Sequence, residues 1–260
     1  MKRVLTLVYG IGCYVLFLGT FLYAIGFICN LGVSRSIDSV PTSPRPVALA
    51  INLGLLALFA VQHSVMARPW FKNWWTQYVP ESAERSTYVL FSSLALIALF
   101  AFWQPMGGRI WHVESEFTRA SLHAIGAFGW LLVLVTTFLI NHFDLFGLRQ
   151  VWLHFHRREY TALPFVKPGP YKIVRHPLYV GWLCAFWGTP TMSVAHLVFA
   201  VATTAYILMA IRWEERDLVT YHGSAYTDYQ REVSMIVPAR SRKGQNDLPD
   251  NGQADLASEK

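Results

Sequence analysis

From Leu178 to Ile211 the chain runs for 34 residues without a formal charge, and no other feature restricts its fold so sharply. As a single helix the run would be about 50 Å long, against a hydrocarbon core about 30 Å thick. It must therefore turn, and Gly188-Thr189-Pro190 supplies the break. A hairpin results, with a short arm from Leu178 to Trp187 and a long arm from Thr191 to Trp213 that carries Glu214 and Glu215 out past the membrane surface. The segment leading into it from Lys167, KPGPYKIVRHPLYVGW, is turn-rich, basic and aromatic.

Four further apolar runs are long enough to cross a bilayer: Val4 to Ser34, Pro46 to Ala67, Ser86 to Gly108 and Ala120 to Asn141. The first follows Met1-Lys2-Arg3 like a signal peptide. Its apolar length exceeds the usual ~7–15 residue core of such peptides and no small-x-small site closes it, so it reads as a retained helix. Gly10, Gly12, Gly19 and Gly26 along it, and Gly126 and Gly129 on the fourth run, are spaced for close helix packing. Between the runs, SRSIDSVPTSPRP reads as a loop, and Arg68-Pro-Trp-Phe-Lys-Asn-Trp-Trp as an interfacial segment at the headgroups. Charged residues make up 15% of the chain, where a soluble domain carries roughly 25%. The expectation is an all-α integral membrane protein of five to six transmembrane helices, the last two forming a helix-turn-helix hairpin. Residues 1–145 would be the scaffold and substrate pocket, 146–239 the loop, hairpin and ligand-binding region, and 240–260 a disordered tail without apolar character.

The net charge of +6 does not point to nucleic acid, because the basic residues sit between apolar runs rather than on one aromatic-basic face. It reads as a topology signal. With the N-terminus in the cytosol, all but four of the 22 lysines and arginines fall on the cytosolic side, the exceptions being Arg35, Arg45, Arg109 and Arg119. Both termini are therefore expected in the cytosol, with lipids as neighbours. Cys13, Cys29 and Cys184 are widely spaced in apolar sequence and indicate neither disulfides nor a metal site.

In that topology His63, Ser64, Tyr88, Asn141, His142, Asp144, His176 and Tyr179 fall at one cytosolic level. Polar and ionisable groups are costly near hydrocarbon and mark a site or a wet cavity. Asp144, between Phe143 and Phe146, needs a partner. His-x-Asp is either that pair, or each residue serves a different neighbour. His112, His123 and His196 lie on the far side and read as structural. His154-x-His156 lacks a third ligand at metal spacing and reads as a solvated loop, so no metal is expected.

KPGPYKIVRHPLYVGW, a downstream membrane hairpin, Glu214-Glu215 and then Gly223-x-x-Tyr226-x-x-Tyr229 together resemble the membrane methyltransferases grouped with isoprenylcysteine carboxyl methyltransferase and the phospholipid N-methyltransferases, over roughly Lys167 to Pro238. Upstream, NHFDLFGLRQVW resembles a narrower branch, the bacterial methanethiol S-methyltransferases, together with NnrU-like membrane proteins. The resemblance implies S-adenosylmethionine as cofactor and a bacterial-type cytoplasmic membrane as location. Gly169, Tyr171, Arg175, His176, Tyr179, Glu214 and Glu215 would surround the cofactor. Arg175 or His176 suits its carboxylate and Glu214 or Glu215 its amino group and ribose, while Tyr171 and Tyr179 stack on adenine or face the sulfonium. The implied reaction methylates a small thiol, methanethiol, to dimethyl sulfide, with His142 or Asp144 taking or relaying the thiol proton and Tyr179 aligning sulfur and methyl group. Two other classes stay open. One is methylation of a lipid or prenylated cysteine. The other is a non-enzymatic NnrU-like haem or redox-associated protein with His63 and His142 as axial ligands.

Overall fold

The computed structural model describes residues 2–164 and 166–238, so the expected tail at 240–260 lies outside the described residues. Five helices are long and apolar enough to span a membrane: α1 (Lys2–Cys29), α2 (Arg45–Ala67), α4 (Glu81–Phe102), α5 (Glu116–Ile140) and α9 (Val194–His222). Between and after them lie the short helices α3 (Pro69–Trp75), α6 (His142–Leu145), α7 (Leu148–Phe155), α8 (Pro177–Trp187) and α10 (Ser224–Glu232). The strands β1 (Arg109–His112) and β2 (Thr191–Ser193) pair antiparallel. Apolar side chains such as Leu5, Val8, Val61 and Phe128 point outward, as lipid-facing positions do and water-facing ones rarely would.

Several helix boundaries have a local cause. α1 stops at Asn30, which takes a positive φ of 57°, several residues before the expected Ser34. α4 begins with Glu81 behind Pro80, one turn earlier than expected, its two first-turn acids favourable at a helix N-terminus. It ends at Phe102, because the residues expected to finish it turn aside toward β1. α9 starts where Ser193 Oγ caps the His196 amide at 3.0 Å. Its expected end at Trp213 is passed by more than two turns, so Glu214 and Glu215 are still helical.

The hairpin forms at Gly188-Thr189-Pro190, but its short arm packs along α5 more than along α9. Two glycine pairs permit this. A Cβ on Gly129 would stand 2.6 Å from the Gly181 carbonyl oxygen, and one on Gly126 would stand 2.7 Å from that of Gly188. The two backbones are in contact, as small residues allow inside a membrane. Of the α1 glycines, Gly10 is overlaid by Val151 of α7, whereas Gly12 and Gly19 face open space. Helix packing therefore explains the first but not the other two. With 11 residues, α8 is about 16 Å long, half a hydrocarbon core.

The face bearing β1 and β2 is tied down by polar staples. Asn52 and Gln104 exchange two hydrogen bonds of 2.7 and 2.8 Å, and Asp38 accepts from Ser193 and Asn30. His196 is buried and bonded to the Phe186 carbonyl at 2.8 Å, the structural role expected for it. The opposite face carries α3, whose Trp70 and Trp74 are exposed, together with every residue of the candidate site.

Candidate active site

The entry to the hairpin and the end of its long arm are joined by the last described segment of the chain. After α10 the backbone runs beside residues 174–176. The Arg175 amide donates to the Ser234 carbonyl at 2.8 Å, and the His176 amide to that of Met235 at 3.1 Å. Tyr226 and Tyr229, one turn apart on α10, are both buried beneath this junction. The Tyr229 hydroxyl donates to the Tyr171 carbonyl at 2.5 Å, fixing the 3-10 turn Gly169–Lys172. Burial is the main reason that the Tyr229 phenol is pushed up to about 12, so it stays a neutral donor.

Glu214 and Glu215, adjacent in sequence, face different surroundings. Glu215 accepts from Arg175 Nε at 2.7 Å, lies 3.0 Å from His176 Nε2, and accepts from Gln230 Nε2 at 3.0 Å. Arg175 is completed by the carbonyls of Gln230 and Val233. Arg175, His176 and Glu215 are thus brought together as expected, but they saturate one another as a brace.

Glu214 accepts a single hydrogen bond among the described residues, from the Tyr179 hydroxyl at 2.9 Å. Tyr88, Tyr171 and Tyr226 are electrostatic neighbours of the same carboxylate. Burial first, and then the Glu214 charge, push the Tyr171 phenol up. A carboxylate among neutral phenols presents charge and π-electron density with little competing donor chemistry, a setting suited to an organic cation such as a sulfonium.

Three spanning helices close the far wall. On α2, His63 stacks on Phe59 and lies 3.1 Å from Ser92 Oγ of α4, with the Tyr88 hydroxyl 2.8 Å from Nε2 and 3.0 Å from Nδ1. The next residue, Ser64, meets the Tyr206 hydroxyl of α9 at 3.0 Å. Tyr206 is in turn an electrostatic neighbour of Tyr88 and Tyr179. Sequence reasoning missed Tyr206. Its position eight residues before Glu214 places both on one helical face, and that spacing was the available signal.

His142 and Asp144 do not pair; each serves a different neighbour, the second of the two expectations. The His142 ring stacks on Phe138 at 4.2 Å, with Nδ1 2.8 Å from Thr137 Oγ1 and Nε2 2.9 Å from the Tyr14 hydroxyl. Burial lowers its pKa below the usual 6.5. Asp144 is bridged to Arg149 at 2.9 Å and accepts from Tyr160 at 3.3 Å. What gathers these groups is Asn141, at φ 133°, whose side chain accepts from the Asp144 amide at 3.1 Å and so turns the end of α5 into α6. Among the described residues no hydrogen bond or ion pair links His142 or Asp144 to Tyr179, Glu214 or Arg175. His63 and His142, the two expected axial ligands of the haem alternative, each have their ring nitrogens facing hydroxyls. His154 lines a surface cleft of about 930 Å³ with Lys72, Glu84, Arg85, Asp144 and Tyr160, while His156 turns back to the Trp152 carbonyl at 3.0 Å.

A family model described as phospholipid methyltransferase matches residues 103–224, which contain the hairpin and both glutamates. Together with the spanning helices and the relatives that follow, this match gives the class: a multi-pass membrane methyltransferase. Methanethiol S-methyltransferase of Crocosphaera subtropica is 54% identical over 243 residues, covering 94% of this chain and 95% of the relative. The protein of that name from Mycobacterium tuberculosis is 50% identical over 238 residues, covering 92% and 98%. Nurim of Sus scrofa is 30% identical over 181 residues, covering 66% and 68%. No solved structure matches the chain. The chain belongs to the methanethiol S-methyltransferase family.

Proposed function

We propose that the protein transfers a methyl group from S-adenosylmethionine to methanethiol, yielding dimethyl sulfide and S-adenosylhomocysteine. The observation that carries the reading is the Glu214 carboxylate, bonded by Tyr179 and ringed by phenols, in a chain about half identical to proteins named for this reaction. Bound there, the cofactor would supply an electrophilic methyl carbon on a cationic sulfur. Glu214, Tyr171 and Tyr179 would hold that cation, by charge and by ring faces worth roughly 0.5–2 kcal/mol. Tyr179 also orients Glu214 and aligns the acceptor sulfur. Gly169 and the brace of Arg175, His176 and Glu215 keep the wall in place and contribute to cofactor affinity through it.

The acceptor must lose a proton, because a thiol with a pKa of roughly 8.5 or above is mostly protonated at neutral pH. The thiol would give its proton to the protein as its sulfur lone pair takes up the methyl carbon, the electron pair of the broken bond staying with the donor. His142 and Asp144 set the α5–α6–α7 corner beside this site, a positioning role. Charge asymmetry supports a cytoplasmic membrane location with both termini in the cytosol, where the soluble cofactor is available.

The test uses the full chain purified in detergent with methanethiol and methyl-labelled cofactor, following volatile dimethyl sulfide. Labelled product in the headspace is expected. Cofactor binding without turnover of methanethiol, but with labelling of lipid or of a prenylated cysteine peptide, would replace the thiol by those substrates.

A further inference from the structure

We propose that His63 and Tyr88 form the acceptor side of the site, where a small thiol lies against the Tyr88 hydroxyl and gives its proton to the His63 ring. This rests on the thiol-methyltransferase reading and adds the group that makes the thiolate.

Four observations lead there. First, Tyr88 connects two chemistries: its hydroxyl touches His63, and it is an electrostatic neighbour of the Glu214 carboxylate. A sulfur held at Tyr88 therefore lies between a base and the cation-suited carboxylate. Second, the Tyr88 hydroxyl stands almost equally far from the two His63 nitrogens, at 2.8 and 3.0 Å, so it is aligned on neither. Third, the polar contacts of His63 among the described residues are hydroxyls, Tyr88 and Ser92, with Phe59 stacked on its face. Without a carboxylate partner the resting ring is neutral, the form that accepts a proton. Fourth, His63 lies within a spanning helix, where an ionisable side chain turned toward neighbouring helices marks function.

His142 shares the hydroxyl partners and the stacked ring, but among the described residues no hydrogen bond or ion pair links it to Tyr88 or Glu214. Its nitrogens are bridged by Thr137 and Tyr14 and its ring is clamped on Phe138. The titratable and charged groups against His63 are Tyr88 and Arg85, both from α4, and Tyr88 has in turn Glu84 from α4 and Tyr206 and Glu214 from α9 as electrostatic neighbours. Arg85 sits over the Tyr88 ring at 5.2 Å and also lines the surface cleft with Glu84 and Lys72. After methyl transfer the His63 imidazolium releases its proton to solvent, so the ring returns to its neutral form.

The experiment compares wild type, His63→Gln and Tyr88→Phe as full-length protein in detergent. Dimethyl sulfide formation is measured from about pH 6 to about pH 10, and S-adenosylmethionine affinity by calorimetry. For His63→Gln the rate at neutral pH should fall about 100-fold, the usual contribution of a positioned base. It should then climb about tenfold per pH unit as the thiolate forms in solution, while cofactor affinity stays within about twofold. Tyr88→Phe should show the same climb from a smaller loss. A loss that is constant across pH, an unchanged rate, or a fall in affinity matching the fall in rate would overturn the proposal. If His63→Gln fails to bind cofactor because it does not fold, the pH profile of Tyr88→Phe decides. Wild type that binds cofactor yet makes no dimethyl sulfide would remove the thiol reading itself, and this outcome is distinct from any variant-specific loss.

Discussion

Replacing Glu215 by alanine, beside the parallel replacement of Glu214 by glutamine, separates two neighbouring carboxylates by role. Glu215 is the anion for Arg175 at 2.7 Å and His176 at 3.0 Å, and the side chains of Arg175 and Glu215 are only 11% and 15% exposed. Removing it leaves a nearly buried guanidinium with two carbonyl partners and, among the described residues, no counter-charge. Breaking such a pair from one side costs about 3–5 kcal/mol, or roughly 5–9 °C in unfolding temperature for a chain of this size. A glutamine at 215 keeps an acceptor and should lose about 1.5–3 kcal/mol, the worth of the charge assistance. Glu214, with a single bond among the described residues, from Tyr179, should behave in the opposite way. Glu214→Gln should leave the unfolding temperature within about 2 °C, yet weaken cofactor binding at least about tenfold through the lost charge. The assays are thermal unfolding in detergent and calorimetric titration with S-adenosylhomocysteine and S-adenosylmethionine. The cationic ligand should suffer more than the neutral thioether. Equal destabilisation by both replacements, or Glu215→Ala with unchanged unfolding and lost binding, would refute the division into brace and ligand.

Gly129→Ala should be far more harmful than Gly12→Ala. The new methyl would press on the Gly181 carbonyl at 2.6 Å, whereas Gly12 faces open space; overpacking of this kind costs about 1–3 kcal/mol or more, read as folded yield and unfolding temperature. His142 has a pKa lowered by burial, so the unfolded chain takes up its proton first as pH falls. Its contribution to stability is complete above about 6.5 and lost below it, and His142→Gln should flatten the acid side of a stability-against-pH curve. Asp144→Asn should loosen the 141–161 segment by weakening the Arg149 bridge and the Tyr160 bond. Faster hydrogen exchange there, with cofactor affinity intact, is the expected result.

Much of the architecture was legible because a bilayer leaves few choices. Uncharged length fixed the five spans and the need for a break at Gly188-Thr189-Pro190, and the order of Arg175-His176, Glu214-Glu215 and the tyrosines marked the methyltransferase class. The helix ends were less legible, since they depend on local devices such as the Ser193 cap and the positive φ of Asn30. The two short strands were invisible, because three or four residues carry no periodic signal.

Within the candidate site, sequence alone determined which residues gather on one face of the membrane, since depth follows from position along a spanning helix. It could not determine which of them touch. That depends on the rotation and crossing of helices, set here by the glycine contacts of α5 with α8 and by the return of residues 233–236 beside Arg175. Tertiary structure alone gave Glu215 to the brace and Glu214 to the phenols, although the two differ by a single step along α9. A helix turns 100° per residue, so adjacent side chains face different neighbours, and only packing decides which.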